Sequence, residues 1–303
     1  MISYGWRCNR LTNRKSWVYF NDRLSRYLFI SSAILVSLII LCIIWFVGMQ
    51  GLSTFKEASI LEFFTSSKWS PDNGEFGALT FIAGSIGTTL IAILLGGPLG
   101  LAGAVFLAEI APPWVRSIMR PATDLFAGIP SVVYGYVGIT VIVSFTGKLT
   151  DSPTGYGMLA AGIVLAIMIL PTVISLSEDA LRSLPRSYKE ASLALGATRW
   201  QTIRRVLVPA ASPGILTAII LAMARAIGET MAVQMVIGNS PRFPDSLGSP
   251  TSTLTSNIVM EMGNTPFGST WNNALFMMAF ILLIIALIMI ILVRTASRKG
   301  AAR

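Results

Sequence analysis

The chain has 303 residues, 53% of them hydrophobic and 12% charged, with a mean hydropathy of +0.69 and a formal net charge of +9. Soluble domains carry about 25% charged residues, so most of this chain belongs in lipid; the absence of His removes the commonest general base and metal ligand. Cys8 and Cys42 form neither a disulfide framework nor a zinc pattern, and no G-x-x-x-x-G-K-[ST] run cradles a nucleotide phosphate.

A membrane-spanning helix needs about 20 mostly apolar residues, and six stretches qualify. The composition therefore predicts an all-α polytopic membrane protein with six transmembrane helices. A basic tail, residues 1–27, precedes the first span at 28–49, which is too long for a signal-peptide core and is expected to stay as an anchor. The second span, about 79–108, carries Gly96-Gly97-Pro98 and is expected to bend there. The third, about 123–145, contains Gly128-Ile129-Pro130; Ser131 and Tyr134 beside that break could line a pathway, or the region could serve helix packing. The fourth is 157–177, followed by Glu178 and Asp179, which with Glu109 are expected at the membrane surface or at helix ends. A long basic loop, 178–212, leads to the fifth span at 213–237. A Gly/Pro/Ser/Thr-rich loop, 238–270, with the apolar run 258–262, leads to the last span at 271–293 and a short tail, 294–303. Residues 79–293 thus form a core of five helices.

Basic residues predict the orientation. The N-terminal tail holds six Lys and Arg, the loop after the second span holds Arg116 and Arg120, the 178–212 loop holds six, and the C-terminal tail four. The opposite loops hold only Lys56, Lys68, Lys148 and Arg242. By the positive-inside rule both termini and the 178–212 loop face the cytoplasm. The net charge is thereby explained by basic tails and anionic headgroups rather than by nucleic acid.

Two ionisable residues stand inside the fifth span. A charge at the bilayer centre costs about 2.5–3.5 kcal/mol on insertion scales, so Arg225 and Glu229 should line a bundle interior or a wet path. Four residues apart, they are expected to stack on one helical face and pair. Arg presents a planar fork that matches an oxyanion, and Glu229 would be its counter-ion when the path is empty. A static ion pair that locks helices together is the plainer alternative.

Within the basic loop, a helix-forming run around Glu190 breaks at Gly196 and resumes from Arg199 until Pro209 stops it. An amphipathic helix lying on the bilayer would satisfy this composition. The spacing is more particular. Glu190-Ala191-Ser192, three residues, Gly196, nine residues, then Val206-x-Val208-Pro209 resembles the loop by which ABC-importer permeases dock onto their ATPase. That resemblance marks Glu190, Ala191, Gly196, Arg199 and Pro209 as coupling residues.

From Phe76 to Asn239 the chain resembles the membrane subunits of bacterial phosphate-specific ABC importers, the Pst system. The stretches PLGLAGAVFLAEIAPPWVR (98–116), FAGIPSVVYG (126–135), ILPTVISLSEDALRSLPRSYKEASLALGATRWQTI (169–203) and ARAIGETMAVQMVIGN (224–239) carry the likeness. SLSEDAL, and Met-Ala-Val after Gly228-Glu229-Thr230, look like the C-type subunit, whereas the A-type sister tends to have Ala-Pro-Leu there.

The resemblance implies a type I ABC-importer permease fold with a cytoplasmic coupling-helix loop. It implies four kinds of partner: a sister permease, a homodimer of ATP-binding subunits, an extracytoplasmic phosphate-binding protein and the lipid bilayer. Arg225 and Glu229 would belong to the translocation path of inorganic phosphate. This chain would bind no cofactor and do no covalent chemistry, the ATP and Mg²⁺ being used by the ATPase. A permease for molybdate or sulfate, the A-type sister, and a membrane scaffold for phosphate-supply signalling remain as alternatives.

Overall fold

The computed structural model describes the backbone of residues 5–301 and the side chains of residues 25–295, so the extreme ends of both predicted tails lie outside the described residues. The chain divides into two units, residues 1–49 and residues 50–303. The first unit is made by helix α1 (Gly5–Leu52), whose long apolar stretch from residue 25 suits hydrocarbon surroundings.

The second unit opens with α2 (Ile60–Thr65) and a two-stranded hairpin, β1 (Trp69–Ser70) and β2 (Glu75–Phe76), paired antiparallel with Trp69 opposite Phe76. Next come α3 (Leu79–Val105), α4 (Pro113–Ala127), α5 (Ser131–Val137), α6 (Val143–Thr150) and α7 (Met158–Arg182). A loop layer holds α8 (Arg186–Ala194), α9 (Arg199–Thr202) and α10 (Val208–Ala210). The chain then returns through α11 (Ser212–Gly228), α12 (Met231–Val236), α13 (Leu254–Glu261) and α14 (Thr270–Ala301). Among the described residues five helices are long and apolar enough to cross a membrane. The number is six if residues 199–210 and 212–228, bent by 68°, count as one crossing.

The core of the bundle is α3 packed along α7, with α11 and α12 closing over them through Ala222, Ala226, Val233 and Val236. Gly96 and Gly100, one turn apart on α3, permit that approach. A Cβ at Gly100 would lie 2.7 Å from the Val173 Cβ, and one at Gly96 would lie 2.9 Å from Ile169. In lipid, helices gain little from hydrophobic exclusion, so close backbone approach and dispersion contacts must supply the attraction. α3 is helical through Gly96, Gly97 and Pro98, and Gly96 serves the packing on α7.

The third span is not one helix over 123–145. Pro130 offers no N–H and sits at φ −58°, ψ 139°, so the chain breaks between α4 and α5. The apolar crossing is residues 131–150. α4 is instead amphipathic, with Thr123 buried against α7 and Trp114, Ile118 and Leu125 exposed. The fourth span runs on to Arg182, so the loop layer begins about five residues later than the sequence pattern indicated. The fifth is two pieces, α11 and α12.

At the hairpin end of α3 a second apolar cluster joins Phe63, Trp69, Phe76 and Phe81 to Leu254, Leu275 and Met278. Glu261 locks it: its carboxylate accepts from Trp69 Nε1 at 2.9 Å and from Trp271 Nε1 at 2.7 Å. At the other end of α3 a third cluster, Leu181, Ile203, Leu207, Ala211 and Ile215, seats the loop layer. The apolar run in the last long loop forms α13 and packs on α14.

Candidate functional site

The break at Gly128-Ile129-Pro130 removes the i+4 donors of a continuing helix from the carbonyls of Phe126 and Ala127, and two side chains come to them. Tyr134 donates its hydroxyl to the Phe126 carbonyl at 2.7 Å, and Arg225 Nη2 reaches the Ala127 carbonyl at 3.5 Å. Arg225 Nη1 is 3.3 Å from Thr172 Oγ1 on α7. Both guanidinium contacts are at the long limit for hydrogen bonds, and neither partner carries charge. Arg225 is half-buried, so several of its five donors remain for another acceptor.

The expected Arg225–Glu229 pair does not form. Pairing across four residues needs continuous helix, and α11 ends at Gly228. Glu229 is extended (φ −70°, ψ 130°), and its Oε1 accepts from the Ala232 N–H at 3.2 Å, capping the first turn of α12. Its own carbonyl accepts from Thr255 Oγ1 at 3.1 Å. The ion pairs among the described residues are Arg120–Asp179, Arg182–Glu178 and Lys189–Glu109, so no carboxylate neutralises Arg225 there. Ser131 begins α5 beside the same break. Sequence reasoning missed Thr172, whose only signal is a hydroxyl next to Pro171 in an apolar run.

The loop layer holds the other predicted residues. Gly196, at φ +79° with open space where a Cβ would stand, turns the chain between α8 and α9. Only glycine enters that conformation without cost. Thr198 and Gln201 cap α9 reciprocally, and the buried hydroxyls of Ser192 and Thr202 meet at 3.0 Å across the turn. Glu190 and Ala191 lie exposed on α8, Arg199 exposed at the start of α9, and Leu195 and Trp200 present apolar surface between them. Pro209 does not stop the helix as expected. A π-helical turn, Ile203–Leu207, precedes it, with Val208 N–H donating to the carbonyl five residues back, and the bend falls at Ala211.

The three ion pairs found among the described residues surround this layer. Glu178, expected at the membrane surface or at a helix end, lies in the last turns of α7, buried (1% exposed) and held by Arg182 at 2.8 Å, while Asp179 is exposed and joined to Arg120 at 2.7 Å. Arg116 donates to the carbonyls of Leu107 and Ala108 at 2.9 and 3.0 Å, where another π-helical turn, Phe106–Ile110, frees them.

Residues 96–299 match the family described as binding-protein-dependent transport system inner membrane component. The chain belongs to that family. A probable ABC transporter permease protein, YqgH of Bacillus subtilis, is 49% identical over 84% of this chain and 84% of its own length. A phosphate transport system permease protein, PstC of Mesorhizobium japonicum, is 37% identical over 83% of each. A bacterial ABC transporter involved in the import of the acidic polysaccharide alginate shares the fold, with a TM-score of 0.60, 14% identity, and coverage of 88% of this chain and 95% of that one.

This family member is therefore a multi-pass permease subunit of an ABC importer, with the all-α permease fold the sequence predicted. Membership implies ATPase and substrate-binding partners.

Proposed function

We propose that this permease carries inorganic phosphate, forming half of the translocation path beside a sister permease. The observation that carries the reading is Arg225: a guanidinium within the bundle, with two long neutral contacts and no carboxylate partner among the described residues. A half-buried cation of this kind favours a passing anion, and its planar fork suits a tetrahedral oxyanion. Relatives named as phosphate transport system permeases support phosphate over other oxyanions.

In this scheme both termini and the loop layer face the cytoplasm, as the basic residues indicate. The Glu190–Pro209 segment docks on a pair of ATP-binding subunits of the Pst type, with Leu195 and Trp200 entering a groove on the partner. Those subunits use ATP and Mg²⁺, and this chain binds no cofactor. A phosphate-binding protein delivers substrate to the outer face. Glu229 acts at the α11–α12 break by holding the turn rather than by pairing with Arg225.

The test is uptake of labelled phosphate by cells lacking the gene and supplied with the intact chain or Arg225→Gln, with unlabelled sulfate as competitor. Sulfate-resistant uptake restored by the intact chain alone is expected. Uptake blocked by sulfate, or absent with both proteins inserted, would move the assignment to another oxyanion.

A further inference from the structure

We propose that the Lys189–Glu109 ion pair is a positioning strut that carries displacement of the docking helix α8 to the end of α3, an inference that rests on the docking role given to the loop layer. Lys189 Nζ lies 2.5 Å from Glu109 Oε2, with side-chain exposures of 46% and 14%. Among the described residues it is the ion pair that joins α8 to the end of α3.

The geometry is that of a strut across a gap. Glu109 and Lys189 both line two open clefts, one of about 300 Å³ with Arg199, Ile203 and Leu207, the other of about 400 Å³ with Arg116 and Arg186. The pair thus bridges space where apolar packing is incomplete. Its anchor is stiff. Glu109 lies in the π-helical turn closed by Ala111 N–H on the Phe106 carbonyl at 2.8 Å, and Arg116 clamps the two carbonyls just before it.

The other end is placed to receive force. Lys189 is followed by Glu190, which is exposed on α8 and has no ion-pair partner among the described residues. Neighbours on a helix point about 100° apart, so one residue can face a partner while the next faces α3. From Glu109 the π-helical turn leads back into α3 and on to Gly100, whose packing on Val173 leaves no room to slide independently of α7. Thr172, beside Val173, touches Arg225. A push on α8 therefore has a continuous packed route to the guanidinium. Exposed pairs add little to folding stability, so loss of the strut should affect transmission before it affects assembly.

The experiment uses the whole importer, purified through this chain and placed in nanodiscs. Cys8 and Cys42 are replaced by Ser, and Met231→Cys reports on the open cavity lined by Tyr156, Met231, Gln234 and Asn239. Its labelling by an impermeant thiol reagent is timed with and without ATP and vanadate. With the strut intact, nucleotide should change the rate by about fivefold or more, the low end of ordinary coupling between sites. Lys189→Glu and Glu109→Lys should each remove that change while ATP hydrolysis stays within about threefold of the parent. The double exchange should restore it. Retention of the change in either single variant, or a double variant no better than the singles, would overturn the strut. So would an intact complex that hydrolyses ATP without altering the labelling. Failure of an ATPase subunit to co-purify would sink the docking reading, and failure of phosphate uptake the substrate reading, each by its own measurement.

Discussion

Arg225 and Glu229 are one helical turn apart in sequence, yet Gly228 ends α11 between them and the carboxylate turns to the Ala232 N–H at 3.2 Å. Glu229 acts here as an acceptor for backbone, and Arg225 has no carboxylate partner among the described residues. An amide oxygen can accept the same hydrogen bond, so Glu229→Gln should keep phosphate uptake and sulfate resistance near the parent. Glu229→Ala leaves the N–H unmet at a cost of about 1 kcal/mol, typical for a lost cap. Uptake and heat stability of the purified chain should fall together in Glu229→Ala only. A lost selectivity in Glu229→Gln would restore the carboxylate to the substrate path.

Thr172 is the one side-chain partner that Arg225 has among the described hydrogen bonds. Thr172→Val keeps the shape and removes the hydroxyl. The guanidinium should then drift from its position, and uptake should fall by roughly two- to tenfold, because a contact this long is worth no more than an ordinary hydrogen bond of about 0.5–1.5 kcal/mol. Equal uptake in Thr172→Val and the parent, measured at matched membrane levels, would show that Thr172 does not position Arg225.

The turn at Gly196 offers a conformational test. Its φ of +79° lies where residues with a Cβ are strained, while the surrounding space is open. Gly196→Asn should therefore be milder than Gly196→Ala, and Gly196→Val worst, with a penalty for Ala of about 1 kcal/mol. Retention of the ATPase subunits through purification should follow the same order. A ranking by side-chain size, with Ala best tolerated, would point to steric contact with a partner instead.

Much of this was legible in the chain. Apolar runs of about 20 residues announced an all-α membrane fold because lipid forbids unpaired backbone, although the third and fifth runs are broken in the structure. The isolated charges at Arg225 and Glu229 stood out against that background, and Gly196 marked its own turn. What stayed hidden depends on tertiary placement. The ladder break at Gly228 turned an apparent ion pair into a cap. Nothing local announces that Ile169 and Val173 occupy the missing Cβ positions of Gly96 and Gly100. Arg116 reads as one more inner-face cation until π-helical carbonyls are found waiting for it. Lys189 and Glu109, 80 residues apart, carry no local signal of their meeting.

Glu261 makes a further case at the hairpin end. It accepts from both Trp69 and Trp271, and removing it strands two indole donors. Glu261→Ala should cost about 1–3 kcal/mol, the penalty for an unmet buried group, whereas Trp271→Phe removes donor and demand together and should cost less. Limited proteolysis of residues 57–78 in the purified chain reads the difference. Equal cleavage in both variants and the parent would show that the carboxylate does not hold this module.

The packing of α3 on α7 gives the most direct prediction. With 2.7 Å between a Cβ at Gly100 and the Val173 Cβ, even Gly100→Ala cannot be accepted without separating the helices. Overpacking of this kind costs about 1–3 kcal/mol, and in lipid no solvent-driven term offsets it. Phosphate uptake should fall with heat stability, because Thr172 moves with Val173. Val173→Ala alone leaves a gap and should also destabilise. The combination Gly100→Ala with Val173→Ala exchanges bulk across the seam and should recover part of both losses. Strictly additive losses in the double variant would mean that the two residues do not share a contact.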